Sequence, residues 1–212
     1  MDTLLDDPTL PEKVEALASL LEDEATRRLR FYDEIRDDQK AEFINGEVIM
    51  HSPAKERHLT VRDNLHELLR RFVQIHKLGI IRGEKALCAF PRNDYEPDVC
   101  FFGLEKTAKI DADTMKFPVP DFICEVLSDS TEKHDRGVKF QDYLAHGVAE
   151  YWLVDPLEKV VEQYVAKDGE FDLRMKSGSG EISSTVINGF KIPVTAIFDE
   201  AENLKVLREL LG

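Results

Sequence analysis

The sequence predicts a mixed α/β domain with helices packed against one sheet. Three observations point there. Apolar residues recur at helical spacing in two long segments, near 11–30 and 55–76. Phe122 to Leu127 is an apolar run broken by one acid, the pattern of a central strand buried on both faces. Short β-prone runs separated by turn residues fill much of the remainder, and a chain of 212 residues suits one well-filled domain spanning 1–212.

The elements follow in order. Val14, Leu17, Leu20 and Leu21 mark the first helix, with Pro11 in its first turn. Glu42–Ile44 and Glu47–Met50 flank Asn45-Gly46, a strong hairpin signal, and His51-Ser52-Pro53 ends the hairpin. A helix over Lys55 to His76 carries Val61, Leu65, Leu68, Leu69, Phe72 and Val73 on one face and closes at Gly79. Strands are expected at Ile80-Ile81, Ala86–Phe90 and Asp98–Phe102, followed by a loop from Gly103 to Pro120. After the Phe122–Leu127 strand, Ser128 to Thr131 offer helix-capping chemistry and a helix runs to His146, stopping at Gly147. Tyr151–Val154 is another apolar strand. A β-rich tail follows (Val160–Val165, Phe171–Met175, a turn at 177–180, a strand near Ser184–Ile187), and then a helix over Glu200–Leu211. There is no glycine-rich phosphate loop, which weighs against nucleotide binding.

The net charge is −14, with the acids concentrated in residues 1–40. This argues against avid, sequence-blind nucleic-acid binding, which depends on displacing counterions with lysine and arginine. It leaves nucleic acid open as a substrate. No apolar run approaches the length needed to cross a bilayer. Met1 to Asp7 carries acids where a signal peptide has a basic segment. Cys88, Cys100 and Cys124 lie in apolar segments without metal-binding spacing, as expected of buried free thiols in a reducing cytoplasm.

The chemistry centres on Glu125. A carboxylate inside a buried strand costs several kcal/mol unless a cation partner or a metal compensates it. Asp98 opens another strand behind Pro97, and if the two strands are adjacent both acids project into one cleft. Hard oxygen ligands without a His or Cys cluster suit Mg2+ or Mn2+. Asp121 shares the strand of Glu125 but lies roughly 13 Å away along it, and reads as a turn residue. Lys139 lies on the helix after the Glu125 strand, with Tyr143 four residues on along the same face. Each has a plain alternative: a solvated charge for the lysine, core packing for the tyrosine. His58, at the start of the long helix, is a secondary candidate.

These residues resemble the metal-binding core of the PD-(D/E)xK nuclease superfamily. More specifically, the chain resembles a large bacterial family of restriction-endonuclease-like proteins, the Uma type. The resemblance is carried by Glu42 to Val48, Glu96 to Val99, Pro120 to Ser128, and Lys139 to Tyr143 with Gly147 to Pro156. It covers roughly residues 35–195, leaving 1–34 as a helical extension. It implies a restriction-endonuclease-like mixed sheet flanked by helices, with an N-terminal hairpin and a β-rich C-terminal extension. It also implies metal ligands at Asp98 and Glu125, catalytic residues Asp98, Glu125 and Lys139, and supporting roles for Glu42, His58 and Tyr143. The superfamily motif places its lysine two residues after the glutamate, where this chain has Leu127. The family implies that the lysine has moved to the following helix, at Lys139.

Two functional readings stand. One is a Mg2+- or Mn2+-dependent endonuclease acting on DNA, cytoplasmic, and a homodimer as many nucleases of this class are. The other is a nuclease-fold module that binds without cutting, which the net charge and the displaced lysine favour. Fold alone does not choose between them.

Overall fold

A computed structural model describes residues 5–36 and 38–212, so the first part of the acidic Met1–Asp7 segment lies outside the described residues. Helix α1 (Leu10–Glu34) leads to the hairpin β1 (Ala41–Ile44) and β2 (Glu47–Met50), then to α2 (Glu56–His76). Next come β3 (Gly79–Gly83), β4 (Leu87–Ala89), β5 (Asp94–Tyr95), β6 (Val99–Gly103), α3 (Leu104–Thr107), β7 (Lys116–Phe117) and β8 (Phe122–Val126). Then follow α4 (Glu132–Asp135), α5 (Val138–Ala145), β9 (Glu150–Asp155), β10 (Val160–Lys167), β11 (Glu170–Ser177), β12 (Glu181–Ser183), β13 (Lys191–Pro193), α6 (Thr195–Phe198) and α7 (Glu200–Leu211).

The expected single sheet is in fact a main sheet, a smaller companion and a two-stranded pair of β12 and β13. Six strands in the order β11-β10-β9-β8-β6-β3 form the main sheet, antiparallel except between β8 and β9. Five short strands, β2-β1-β5-β4-β7, form the second sheet. The two-residue strands β5 and β7 are too short to leave a periodic signal in the sequence.

Strand β8 is central and buried along its whole length. Its alternate residues separate two cores. Phe122, Cys124 and Val126 pack with Leu65, Leu68, Leu69 and Phe72 of α2. Ile123 and Leu127 face the opposite side, with Tyr143 of α5 and Tyr151 and Leu153 of β9. Glu125 shares this second face by the same period of two. Trp152 is fully buried, and the three cysteines are buried free thiols.

Several boundaries differ from the sequence expectation. Asn45 and Gly46 do form the hairpin turn, with φ of 51° and 82°. The long helix closes at Lys77, which is left-handed at φ 54°, and Gly79 instead begins β3. The helix expected up to His146 is broken at Gly137, where a Cβ would lie 2.6 Å from the Lys133 carbonyl. No side chain caps α4 or α5. No strand forms at Ser184–Ile187, and β12 instead lies just before it, over Glu181–Ser183. Along α1, Val14, Leu17, Leu20 and Leu21 are exposed. The helix is held only lower down, by Glu24 with Arg92, Arg28 with Asp94, and buried Phe31.

The segment after Ser183 wraps around a buried acid. Glu150, fully buried on β9, accepts hydrogen bonds from Trp152 Nε1 (2.6 Å), Gln163 Nε2 (2.7 Å), Ser184 Oγ (2.7 Å) and the Thr185 and Val186 amides (2.8 and 3.1 Å). These donors stand in for a cation. Glu150→Ala orphans them together, and we expect urea denaturation to show a loss of about 3 kcal/mol or more. A loss under about 1 kcal/mol would mean that water replaces the carboxylate at little cost.

Candidate active site

Asp98 immediately precedes β6, and β6 pairs with β8 in a register that sets Val99 opposite Cys124. The expected adjacency of the Asp98 and Glu125 strands is therefore present. The two acids are also bonded through each other's backbone. The Asp98 amide donates to Glu125 Oε2 (3.2 Å), and the Val126 amide donates to Asp98 Oδ2 (2.9 Å).

Around this link the charges divide into an inner and an outer group. The inner group surrounds Lys139, which points from α5 toward β8 with its side chain 3% exposed. Its Nζ lies 2.9 Å from Glu42 Oε1, 3.0 Å from Glu125 Oε1 and 3.2 Å from Asp135 Oδ1. Tyr143, one helical turn on, donates to Glu125 Oε1 at 2.8 Å. Glu42 on β1 also accepts from the Glu96 amide (3.0 Å) and lies 3.0 Å from His51 Nε2.

The outer group surrounds Asp98 Oδ1. Lys40 Nζ lies 2.9 Å from it and 3.2 Å from Glu84 Oε1. His58 Nε2, from the first turn of α2, lies 3.3 Å from Asp98 Oδ1, yet this buried nitrogen makes no hydrogen bond. Arg62 holds the other Glu84 oxygen at 2.9 Å. Ligand atoms of His58, Glu84 and Asp98 all lie within 4.8 Å of one another, so these three side chains are placed to hold a metal ion. A cleft of about 700 Å³ opens here, and Lys40, His51, His58 and Glu84 line it. Lys139 and Glu125 sit behind that lining.

The electrostatics follow the same division. Burial pushes Asp98 up, but Lys40 and His58 outweigh it and hold the carboxyl well below the usual carboxylate range. Burial likewise opposes ionisation of Glu42, yet Lys139 and His51 bring it down to about 2. Glu125 goes the other way. Burial pushes it up to about 8 against the pull of Lys139, helped by the carboxylates of Asp135, Asp98 and Glu42. Glu125, Glu42 and Asp135 overcome the burial of Lys139 and raise it well above the ordinary lysine value. One ammonium cannot balance three carboxylates, so Glu125 keeps a proton while Lys139 stays charged.

Every residue singled out from the sequence lies in this region. Asp121, set aside there, accepts from the Gly103 amide (2.7 Å) and pairs with Lys106, a turn role. Four residues were missed: Lys40, Glu84, His51 and Asp135. Two of them left a signal. Lys40 precedes Glu42 by two residues, the spacing that puts strand side chains on one face, and Asp135 precedes Lys139 by four, one helical turn. Glu84 and His51 reach the site only through tertiary structure.

This architecture defines a restriction-endonuclease-like fold. A crystal structure from Anabaena variabilis, described as a "putative nuclease belonging to DUF820", superposes with a TM-score of 0.68 at 17% identity, over 79% of this chain and 94% of that one. Residues 24–195 match the family described as "Uma2: Putative restriction endonuclease", and the chain belongs to that family. A comparison with curated proteins finds no match.

The raised Glu125 carries a pH dependence. At pH 7 the native state keeps a proton there that an unfolded carboxyl has already lost. The native state thus binds more protons between the ordinary glutamate value of 4.5 and about 8, and metal-free stability declines as pH rises through that window, then levels off. Glu96, pushed up to about 7 by burial, adds a slope of the same sign at the lower end. Thermal melts in EDTA should show the decline in the wild type and a smaller one in Glu125→Gln. Equal slopes would remove Glu125 as the source.

Proposed function

We propose that this chain is a divalent-metal-dependent endonuclease acting on DNA. The observation that carries the reading is the buried, unpartnered His58 Nε2 beside Asp98 and Glu84 at the back of an open cleft. A buried polar atom without a partner costs free energy, and a ring nitrogen aimed at two carboxylates has the chemistry of a metal ligand. The donor set fits a hard cation. Asp98 and Glu84 supply oxygens, with Glu125 behind them as the second acid of the family pattern, and the imidazole favours Mn2+ over Mg2+. Once bound, such an ion neutralises charge on a phosphate and lowers the pKa of water.

The chain's own residues take distinct parts in this reading. Glu125 is held by Lys139 and Tyr143 on one oxygen and by the Asp98 amide on the other, which fixes both acids relative to each other. Lys139 is thus a positioning residue. Lys40 is the cleft-facing ammonium that lies beside Asp98, and it is placed to donate to a phosphate oxygen and stabilise the charge that grows there. The burial of Lys139 gives the binding-module reading its one specific support, because the lysine in the family's position does not reach the cleft. Lys40 answers that objection by supplying a cation from β1's leading edge.

The two lysines are distinguished by experiment. Lys40→Gln should lower the melting temperature, because buried Asp98 gives up its main counterion, but leave the protein folded at the assay temperature, and lower Mn2+-dependent nicking of supercoiled DNA about 10²-fold. Lys139→Met should destabilise the protein by about 3–5 kcal/mol, because the buried acids around it lose their one cation. Unchanged nicking by Lys40→Gln removes Lys40 from catalysis. Pure wild-type protein that binds DNA in Mn2+ and never cuts it hands the case to the binding module.

A further inference from the structure

Helix α2 begins at the candidate site and leads away from it. His58, Arg62, His66 and Arg70 follow one another at four-residue intervals, so they share one face of the helix, and Gln74 and Lys77 continue that row. Strand β3, the edge of the main sheet, runs beside this face. Its Gly83 is opposite Val99, one residue from Asp98, and a Cβ at Gly83 would touch the His66 ring at 3.5 Å. At the far end an open groove of about 390 Å³ lies between α2, β3 and α3. Arg70, Lys77 and Arg82 line it with apolar and uncharged residues, and no carboxylate is in the lining.

What distinguishes these cations is that they line one groove together. Several other arginines are neutralised: Arg28 by Asp94, Arg92 by Glu24, and Arg136 by Glu132 and Glu162. Arg62 in the row is itself held by Asp63 and Glu84. Arg70, Lys77 and Arg82 form no ion pair among the described residues. Burial, with Arg70, Arg62 and Arg82 alongside, lowers the pKa of His66, while Asp63 opposes them. A protein of net charge −14 therefore keeps a cluster of uncompensated cations on one face, and unmatched like charges are retained at a cost to folding.

We infer that the α2–β3 face is a track for the phosphate backbone of duplex DNA, carrying the flank of a duplex whose reactive phosphate lies in the Asp98 cleft. The inference rests on the nucleic-acid reading of that cleft. Spacing supports it. At about 1.5 Å per helical residue, Arg70 lies about 18 Å and Lys77 about 28 Å along α2 from His58. Phosphates recur about every 3.4 Å along each strand, so the track engages backbone roughly five to eight base pairs from the cleft. The groove is open, as a rod-like polyanion requires, and arginine forks suit phosphate oxygens. Residues 1–40 hold 12 of the 42 acids against 6 of the 28 basic residues, a net −6 of the −14, on a different part of the chain.

Fluorescence anisotropy with a labelled duplex of about 20 base pairs, longer than the track at about 3.4 Å per base pair, tests this. EDTA keeps the duplex intact, and the full chain is used. Arg70→Ala/Lys77→Ala/Arg82→Ala should weaken binding about tenfold or more at low salt and flatten the slope of log affinity against log salt by about 2 to 3. The control Lys109→Ala/Arg174→Ala/Lys205→Ala removes the same charge elsewhere and should bind within about twofold of wild type. Mn2+ affinity, measured by calorimetry, should be the same in all three proteins. Equal weakening in both triple variants, or no duplex binding by the wild type at low salt, overturns the track. Track-dependent binding by a wild type that neither holds Mn2+ nor cuts DNA supports the track and overturns the nuclease reading.

Discussion

The buried ammonium of Lys139 is the contact on which the rest of the site depends. It joins Glu42 of β1, Glu125 of β8 and Asp135 of α4, and so pins the second sheet, the main sheet and the broken helix to one point. Each acid alone would be a costly buried charge. Together with one cation, a shared proton and the Tyr143 hydroxyl they become tolerable, but only in one arrangement of the three elements. The break at Gly137 belongs to the same constraint. It lets α5 start afresh with its axis free of α4, while Asp135 and Lys139 remain within 3.2 Å.

That constraint separates the cation that builds the site from the cation that faces the cleft. In a compact PD-(D/E)xK motif one lysine, two residues beyond the glutamate, would stand close to both the acids and the substrate. Here Leu127 holds that position and is part of the core. Lys139 is enclosed, and Lys40 occupies the outer side of Asp98. The two lysines approach the Asp98–Glu125 pair from opposite sides, so inner neutrality can be maintained while the outer charge is free to respond to an anion or a metal.

The long-range plan was legible in the sequence where a single residue broke a strong local pattern. Glu125 interrupts an apolar strand, Asn45-Gly46 interrupts two β-prone runs, and Pro97-Asp98 opens a third strand. Each interruption has one physical explanation that can be stated without coordinates. The second sheet was not legible, because β5 and β7 are two residues each and owe their existence to neighbours rather than to propensity. The exposed apolar stripe of α1 shows the opposite failure: helical spacing located the helix, but spacing does not say whether the stripe is covered. Glu84 and His51 were invisible for a third reason. An acid or histidine after a strand is commonplace, and only the fold turns these two toward Asp98 and Glu42.

Net charge misleads for this chain in the same way. A value of −14 averages over an acidic N-terminal helix, a buried cluster whose charges partly cancel, and a groove beside α2 where Arg70, Lys77 and Arg82 form no ion pair among the described residues. A polyanion responds to the local field within about a Debye length, about 8 Å at physiological ionic strength, and not to the sum. At that range the groove between α2 and β3 presents Arg70, Lys77 and Arg82, whereas the acids of α1 belong to a different element. The buried carboxylates behind Asp98 are likewise offset in part from within by Lys139. What lines the cleft from the site is therefore Lys40, His58 and Glu84, with the Asp98 carboxylate just behind them, an arrangement that can accept a cation and an anion side by side.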